Sequence, residues 1–185
     1  MKKIIIILLF IPVFISAQHF KLGFDTELSY VRVGSNGETF GITSDTFIPV
    51  TFNIIFSYQF NRYFSLQTKL GETQLCTTFS GFEVGFDGLY HFQKKFYGSL
   101  GLLFHSNEAM NPSMPHGDIF TKLYLISLGL GYIVSKHFTL GVSSFLPLSE
   151  KTIYYIENFD RNIPYSTNVV IKYMLRLNFV FSWDL

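Results

Sequence analysis

The chain carries a single cysteine, Cys76, among 185 residues. One thiol excludes an internal disulfide framework and a cysteine-built metal site. It also suits passage through an oxidising compartment, where several thiols could mispair. Charge is scarce as well. Only 15% of residues are charged, against about 25% in ordinary soluble domains. So few charges leave too little polar surface for a soluble protein of this size, so the exterior must face something other than water. The formal net charge is +1, which gives no basic footprint and excludes nucleic acid as a partner. Beyond the N-terminus, no stretch reaches the roughly 18 uninterrupted apolar residues of a helical membrane span. His19, His91, His116 and His137 are scattered without metal-ligand spacing, and there is no glycine-rich phosphate cradle. The sequence therefore calls for no metal and no cofactor.

Residues 1–17, MKKIIIILLFIPVFISA, have the form of a secretory leader. Lys2 and Lys3 make a positive n-region, Ile4 to Ile15 an apolar h-region, and Ser16-Ala17 a small-residue cut site before Gln18. The apolar run is too short to serve comfortably as a membrane anchor. No cysteine follows the cut, so the leader is not that of a lipoprotein. The expected mature protein is a single domain, 18–185. Loss of Lys2 and Lys3 brings its net charge to about −1.

Aromatic residues are abundant, at 18% of the chain, and they recur with period 2. Phe20, Leu22, Phe24, Leu28 and Tyr30 share one face of a first strand, with Lys21, Gly23, Asp25, Glu27 and Ser29 opposite. Ile48, Val50, Phe52, Ile54, Phe56, Tyr58 and Phe60 mark a second strand, in which Ile55 breaks the opposite, polar face. Five more strands show the same alternation; Leu123 and Leu125 break it in the sixth. In the eighth, Val169, Ile171, Tyr173, Leu175, Leu177, Phe179, Phe181, Trp183 and Leu185 fall in one phase.

A short motif joins strands in pairs: Phe60-Asn61-Arg62-Tyr63-Phe64, Phe92-Gln93-Lys94-Lys95-Phe96 and Val134-Ser135-Lys136-His137-Phe138. Links this short are tight hairpin turns. Between them lie longer polar links, at 34–47, about 72–81, 106–121 and 147–167. Three short turns alternating with four long loops require eight strands. The expected fold is therefore all-β: an eight-stranded antiparallel up-and-down transmembrane barrel, with short periplasmic turns and longer outer loops. Helical periodicity does not persist anywhere in the mature chain.

Alternation alone does not say which face points outward, and a lipocalin-like soluble barrel would carry its apolar residues inside. The polar face here is built mainly of Gly, Ser, Thr, Asn and Gln, which suits a narrow lumen better than a solvated exterior. On the apolar face, Phe60, Phe64, Phe92, Phe96, Phe138 and Trp183 gather at the turn ends, as in a periplasmic aromatic girdle. Apolar-out is the expected orientation. Eight strands leave a lumen that side chains fill. Asp25, Glu27, Lys69, Glu83, Asp87, His91, Lys172 and Arg176 point into it. Strands one and eight close the barrel, so Asp25 and Glu27 should approach Lys172 and Arg176 in a structural, salt-bridged network. A proton or small-ion path is the functional alternative.

Taken together, residues 18–185 resemble the small outer-membrane barrels of the OmpA/OmpX type. The in-phase final strand is similar to the C-terminal signal of that superfamily, which ends on an aromatic residue; here Trp183 precedes Leu185 by two. The resemblance implies outer-membrane lipid and lipopolysaccharide as surroundings and the barrel-assembly machinery as a partner of the last strand. It implies no activity. The leader resembles those of Bacteroidota.

Catalysis finds little support. His105-Ser106-Asn107 with Glu108, ahead of Asn111-Pro112, invites comparison with outer-membrane lipid A deacylases. Adjacent residues on a strand, however, point to opposite faces, and that family keeps one residue between its His and Ser. No catalytic residue is assigned, and His105 reads as a strand end entering a loop. Gly129 and Gly131 read as relief of lumen crowding. Cys76 and His116 read as incidental loop residues. Tyr154, Tyr155, Phe159, Asp160, Arg161 and Tyr165 in the fourth loop suit either an extracellular partner or an outer girdle. The expected role is structural or surface-interacting, around a side-chain-filled polar lumen. A lipid A-modifying enzyme and a narrow channel or transporter for small solutes are the alternatives.

Overall fold

In a computed structural model, the structure describes residues 20–36, 46–74, 79–109, 119–158 and 165–185. The leader (1–17), His19, Cys76, Asn111-Pro112, His116, Phe159, Asp160 and Arg161 lie outside the described residues, as do the side chains of Tyr154, Tyr155 and Tyr165. Every regular element described is a strand. They are β1 (Phe20–Asn36), β2 (Thr46–Phe47), β3 (Val50–Gln59), β4 (Phe64–Gln74) and β5 (Gly81–His91), then β6 (Phe96–Ala109), β7 (Ile119–Ile133), β8 (Phe138–Pro147), β9 (Thr152–Asn158) and β10 (Tyr165–Asp184).

Eight of these strands close a barrel in the order β1-β3-β4-β5-β6-β7-β8-β10, with β10 returning to β1. All pairings are antiparallel. The closing seam runs from Lys21↔Asp184 to Asn36↔Asn168. β2 and β9 are short extensions that, among the described residues, pair with β1 and β10 respectively. Pro49 separates β2 from β3; it has no N–H to give a ladder, but its carbonyl accepts from Ser29 N at 3.0 Å.

The three short turns form as the repeated motif requires. Phe60 N donates to Phe64 O at 2.9 Å, and Val134 N to Phe138 O at 3.0 Å. Asn61 Oδ1 accepts from the backbone N–H groups of Tyr63 and Phe64 at 2.8 and 3.0 Å, an Asx turn. Ser135 Oγ accepts from His137 N at 3.3 Å.

The apolar face points outward. Leu128 and Leu130 are 67% and 61% exposed, and Phe24, Phe52, Phe86, Leu100 and Leu102 are exposed beside them. The lumen-facing neighbours of these leucines, Ser127 and Gly129, are buried. A continuous exposed apolar surface around a closed sheet belongs against lipid, so the chain is a transmembrane β-barrel of the outer-membrane type, and the soluble lipocalin-like arrangement is overturned. At the turn end Phe60, Phe64, Phe92, Phe96 and Trp183 are exposed, while Phe138 is half-buried and stacks on Phe181 at 4.7 Å. Arg62 lies over Tyr63 at 4.5 Å and Lys95 over Tyr132 at 5.8 Å, cations laid on aromatic rings.

The strands reach further toward the loops than their period suggests. β1 runs to Asn36, β6 to Ala109, and β7 begins at Ile119. The segment read as a fourth loop holds all of β9 and the first turn-out of β10, paired from Thr152↔Val170 to Asn158↔Tyr165. Thr152, Ile153, Val169, Val170 and Ile171 are β-branched, and such residues sustain a ladder beyond the membrane band.

Candidate functional site

The site that this fold builds is the lumen, and its contents change along the axis. β1 shows the sequence of layers from the turn end: Lys21, Gly23, Asp25, Glu27, Ser29, Val31 and Val33 all point inward. A polar vestibule is followed by a charged layer and then by an apolar plug.

Arg176 on β10 is the centre of the charged layer, and 1% of it is exposed. Its guanidinium donates to Glu27 and reaches Glu83 twice, at 2.7 and 2.5 Å. Lys69 on β4 donates to Glu27 at 2.8 Å and lies 3.2 Å from Asp25 and 3.7 Å from Asp87. Asp25 is held by charge alone, since no hydrogen bond reaches either of its buried oxygens. Neutral donors complete the layer. Asn178 Nδ2 donates to Glu27 at 2.7 Å, Thr73 to Glu83 at 2.7 Å and Ser127 to Asp87 at 3.0 Å. Pairing and hydrogen bonding on this scale are what buried charge requires.

The structure thus brings together Asp25, Glu27, Lys69, Glu83, Asp87 and Arg176. It does not bring Lys172 with them. Arg32 pairs with Tyr173 and Val33 with Ile171, so Lys172 is an extra residue in β10, a bulge. Above it the side chains change face. Lys172 turns out to an exposed ion pair with Glu150 at 3.0 Å, and Ile171 and Val169 turn into the core. The unbroken phase read along the last strand therefore ends at Tyr173.

His105 is the member that sequence reasoning missed. It is fully buried inside the barrel rather than at a strand end entering a loop. Its Nδ1 lies 2.9 Å from Glu83 Oε1 and its Nε2 3.3 Å from Asn107 Oδ1. The amide of Asn107 is oriented by donating to Ile153 O at 3.2 Å. The signal was present in the period: His105 follows Leu103 and precedes Asn107 on the inward face of β6. Ser106 pairs opposite outward-facing Phe82, so the two residues point to opposite sides of the wall.

Above the charge the lumen is apolar, not polar. Val31, Val33, Phe79, Leu103, Leu123, Leu125, Phe145, Ile153, Val169, Ile171 and Met174 form one buried cluster. Leu123 and Leu125, which break the alternation of their strand, belong to it. Phe79 stacks on His105 at 4.1 Å, with Phe47 6.0 Å beyond. Gly81, at φ +138°, supports this arrangement: it lets the chain run from Phe79 into β5 where a side chain would collide with Ser106 O. Thr121 Oγ1 donates to Thr152 O at 2.8 Å, so with Asn107 it holds residues 152–153 over the loop-end mouth.

Below the charge the lumen is open. A cavity of about 90 Å³ is lined by residues that include Ser57, Ser65, Gln67, His91, Tyr97 and Ser182. His91, expected among the lumen charges, lies here, 3.0 Å from Ser65 Oγ. Gly131 faces Tyr97 across β6 and β7, and a Cβ there would strike its ring. Gly129 makes the same allowance for Ser99 and Ser143.

No protein-family model matches the chain, and no curated protein matches it in sequence. Solved structures similar to it in shape are outer-membrane barrels. The N-terminal β-barrel domain of Pseudomonas aeruginosa OprF is 16% identical, with a TM-score of 0.46, over 86% of this chain and 97% of that one. Neisserial surface protein A is 14% identical, with a TM-score of 0.48, over 90% and 97%. Ail of Yersinia pestis, solved with the heparin analogue sucrose octasulfate, is 13% identical, with a TM-score of 0.46, over 89% and 99%. These organisms lend no support to an origin in Bacteroidota.

Proposed function

We propose that this protein is a non-conducting, non-enzymatic outer-membrane barrel with a structural or surface-interaction role. The observation that carries the reading is the closed loop end: an apolar plug lies over a charge layer whose members are paired across the lumen. Ions crossing such a lumen would have to displace buried apolar side chains and break buried ion pairs, each costly. The network is then a structural device, and neither an ion path nor a catalytic site. His105 is packed under Phe79, which argues against a role in lipid A chemistry.

On this reading residues 1–17 direct Sec-type export and are removed. The turn end faces the periplasm, its aromatic girdle sits at the inner headgroup level, and the loops face outward among lipopolysaccharide. The last strand is what the barrel-assembly machinery would engage. Any extracellular partner would meet the loops, since binding on rigid barrels concentrates there.

Planar-bilayer recording of the purified barrel, together with the gel shift between unheated and boiled samples, tests this. A heat-sensitive shift without conductance is the expected result. Reproducible single-channel steps would overturn the closed-lumen reading, and a changed lipid A mass in expressing cells, abolished by His105→Ala, would overturn the non-enzymatic one.

A further inference from the structure

The lipid-facing wall is not uniform. On one side an open groove of about 600 Å³ crosses β5, β6, β7, β8 and β10. Gly88, Leu100, Leu128, Ser144 and Leu175 stand opposite one another in register and mark its course. Five strands at the usual sheet spacing make it roughly 19 Å long, the scale of an extended acyl chain. Strands of a closed barrel tilt, so a row of paired residues climbs across the wall. The lower end lies at Tyr90, which pairs with Phe64 of the turn-end girdle. The upper end lies at Leu175, which pairs with Tyr30 toward the loops. Two glycines deepen the groove. Gly88 and Gly98 occupy the outward phase, where the positions around them carry Phe86, Tyr90, Phe96 and Leu100. The wall does not require them. A Cβ at Gly88 would come no closer than 3.7 Å to Leu100 O, and one at Gly98 no closer than 3.9 Å to Gly129 O, which are ordinary contacts. The inward Gly71, Gly101 and Gly131, by contrast, would each drive a Cβ into a neighbour. Glycine inside a strand weakens it, so two that packing does not demand leave room for something outside the wall.

Cations gather above the upper end. Arg32 pairs with Tyr173, the next outward residue from Leu175 toward the loops. Lys172 stands beside Tyr173 in its ion pair with Glu150 at 3.0 Å. Lys151, from the same segment as Glu150, lies over the Tyr124 ring at 5.4 Å. Lys122 is the next outward residue beyond Tyr124, with Glu108 diagonal to it on β6. From β6 round to β1, four cations thus face two acids on the outward surface of the loop end, among the described side chains. On β3, β4 and β5 the outward charge at the same end is Glu72 alone, among the described side chains. The groove and the excess of cations therefore share one sector of the wall.

We propose that this sector holds one phosphorylated lipid, with an acyl chain in the groove and headgroup phosphates on Arg32 and Lys151. Tyrosines mark the headgroup level of a barrel, and both cations stand beside tyrosines. A guanidinium grips phosphate through paired N–H groups. Arg32 on β1 and Lys151 over β7 are separated by two strands, roughly 14 Å, so the headgroup that meets both carries two phosphates rather than one. The source is a lipid and not free phosphate, because the groove beneath these cations opens sideways into hydrocarbon. A second copy of the chain is the poorer occupant: a two-fold axis along the membrane normal would set the same cations of both copies against each other. That the leaflet is the outer one rests on the function proposed above; the binding itself does not.

Native mass spectrometry of the barrel refolded in detergent tests this, with a heat-dependent gel shift as the check that each variant is folded. The probes are bisphosphorylated lipid A, its monophosphorylated form and phosphatidylethanolamine, mixed in equal amounts. One bisphosphorylated molecule retained per barrel, under activation that strips the other two lipids, is the expected result. Arg32→Gln combined with Lys151→Gln should weaken retention about tenfold. Gly98→Leu, for which the wall has room, should weaken it about threefold through lost packing of chain methylenes. Gly88→Leu is the second groove variant and should act in the same direction. Glu72→Gln, on the opposite sector, should leave retention within about twofold. The proposal fails if the monophosphorylated form or phosphatidylethanolamine is held as well as the bisphosphorylated lipid. It fails if the folded groove variants retain lipid A as the parent does, which would mean diffuse attraction to the cations. It fails equally if the charge variant retains it unchanged, or if a lipid-free dimer appears in place of the complex. Conductance, or loops that face the periplasm, would refute the proposed function without touching this result.

Discussion

Two regions of one lumen, built by the same strands at the same period, are filled in opposite ways. At the loop end the inward positions hold Val31, Val33, Leu123, Leu125 and Val169, and they pack into one buried cluster. At the turn end the inward positions of the same strands hold Lys21, Gly131, Ile133 and Ser182, and a cavity remains. The outer face shows no such change, because hydrocarbon demands apolar side chains along its whole depth. The inner face has no single solvent to satisfy. It is free to be packed where closure is needed and left open where it is not. Arg176, Glu27, Glu83 and Lys69 form the boundary between the two.

Breaking that boundary should have the largest effect. Arg176→Met leaves Glu83 buried without its guanidinium and Glu27 with Lys69 alone, and should cost about 3–5 kcal/mol. Urea unfolding in lipid vesicles reads this directly. Adding Glu27→Gln and Glu83→Gln to the variant should recover most of the loss, and an equally unstable triple variant would show that Arg176 acts through its packing over Phe145 instead. Phe79→Ala comes next, at about 3 kcal/mol. It uncovers His105 from the loop side, so hydrogen exchange at the backbone of Asn107 should quicken while exchange at Gln67 stays unchanged. Parallel acceleration at both would mean that the two halves are not independent. At the open end, Gln67→Ala should cost only about 0.5–1 kcal/mol by the same unfolding assay, because its amide holds no protein partner. Smallest of all, Lys172→Ala should lie within about 0.5 kcal/mol of the parent, as suits an exposed pair. A loss comparable to that of Arg176→Met would put Lys172 back among the charges that hold the lumen.

The outer face was legible in the sequence up to the bulge at Lys172, because period-2 alternation is the direct consequence of a strand with lipid on one side. The turn motif, from Phe60 to Phe64 and its two repeats, located the hairpins for the same reason: its residues interact locally. The charged layer was legible as composition, since Asp25, Glu27, Lys69, Glu83, Asp87 and Arg176 occupy inward phases. Lys172 was misplaced because a bulge adds one residue without leaving a mark in the alternation; Ile171 and Val169 are apolar in either phase. The plug was hidden for a related reason. Leu123 and Leu125 looked like breaks in a polar face, when they were members of the plug, whereas Ile55 lines the open end. His105 was read through its neighbour Ser106, whereas its partners Glu83 and Phe79 arrive from 22 and 26 residues away in the chain, beyond the reach of any local pattern.

The bonds from Arg176 to Glu27 and Glu83 join residues 149 and 93 positions apart, the first across the seam where the last strand meets the first and the second across the lumen to β5. Contacts this distant form only after almost the whole sheet has assembled, and the entropy of closing so long a loop must be met first. Until the final strand docks, Glu83 waits in the wall without its guanidinium and Glu27 with Lys69 alone. An unclosed sheet is therefore not a slightly weaker barrel but a poorly tolerated one. Assembly should be all-or-none at its last step, and a closed barrel should reopen slowly, because parting the seam breaks the β1–β10 ladder and the Arg176–Glu27 pair together.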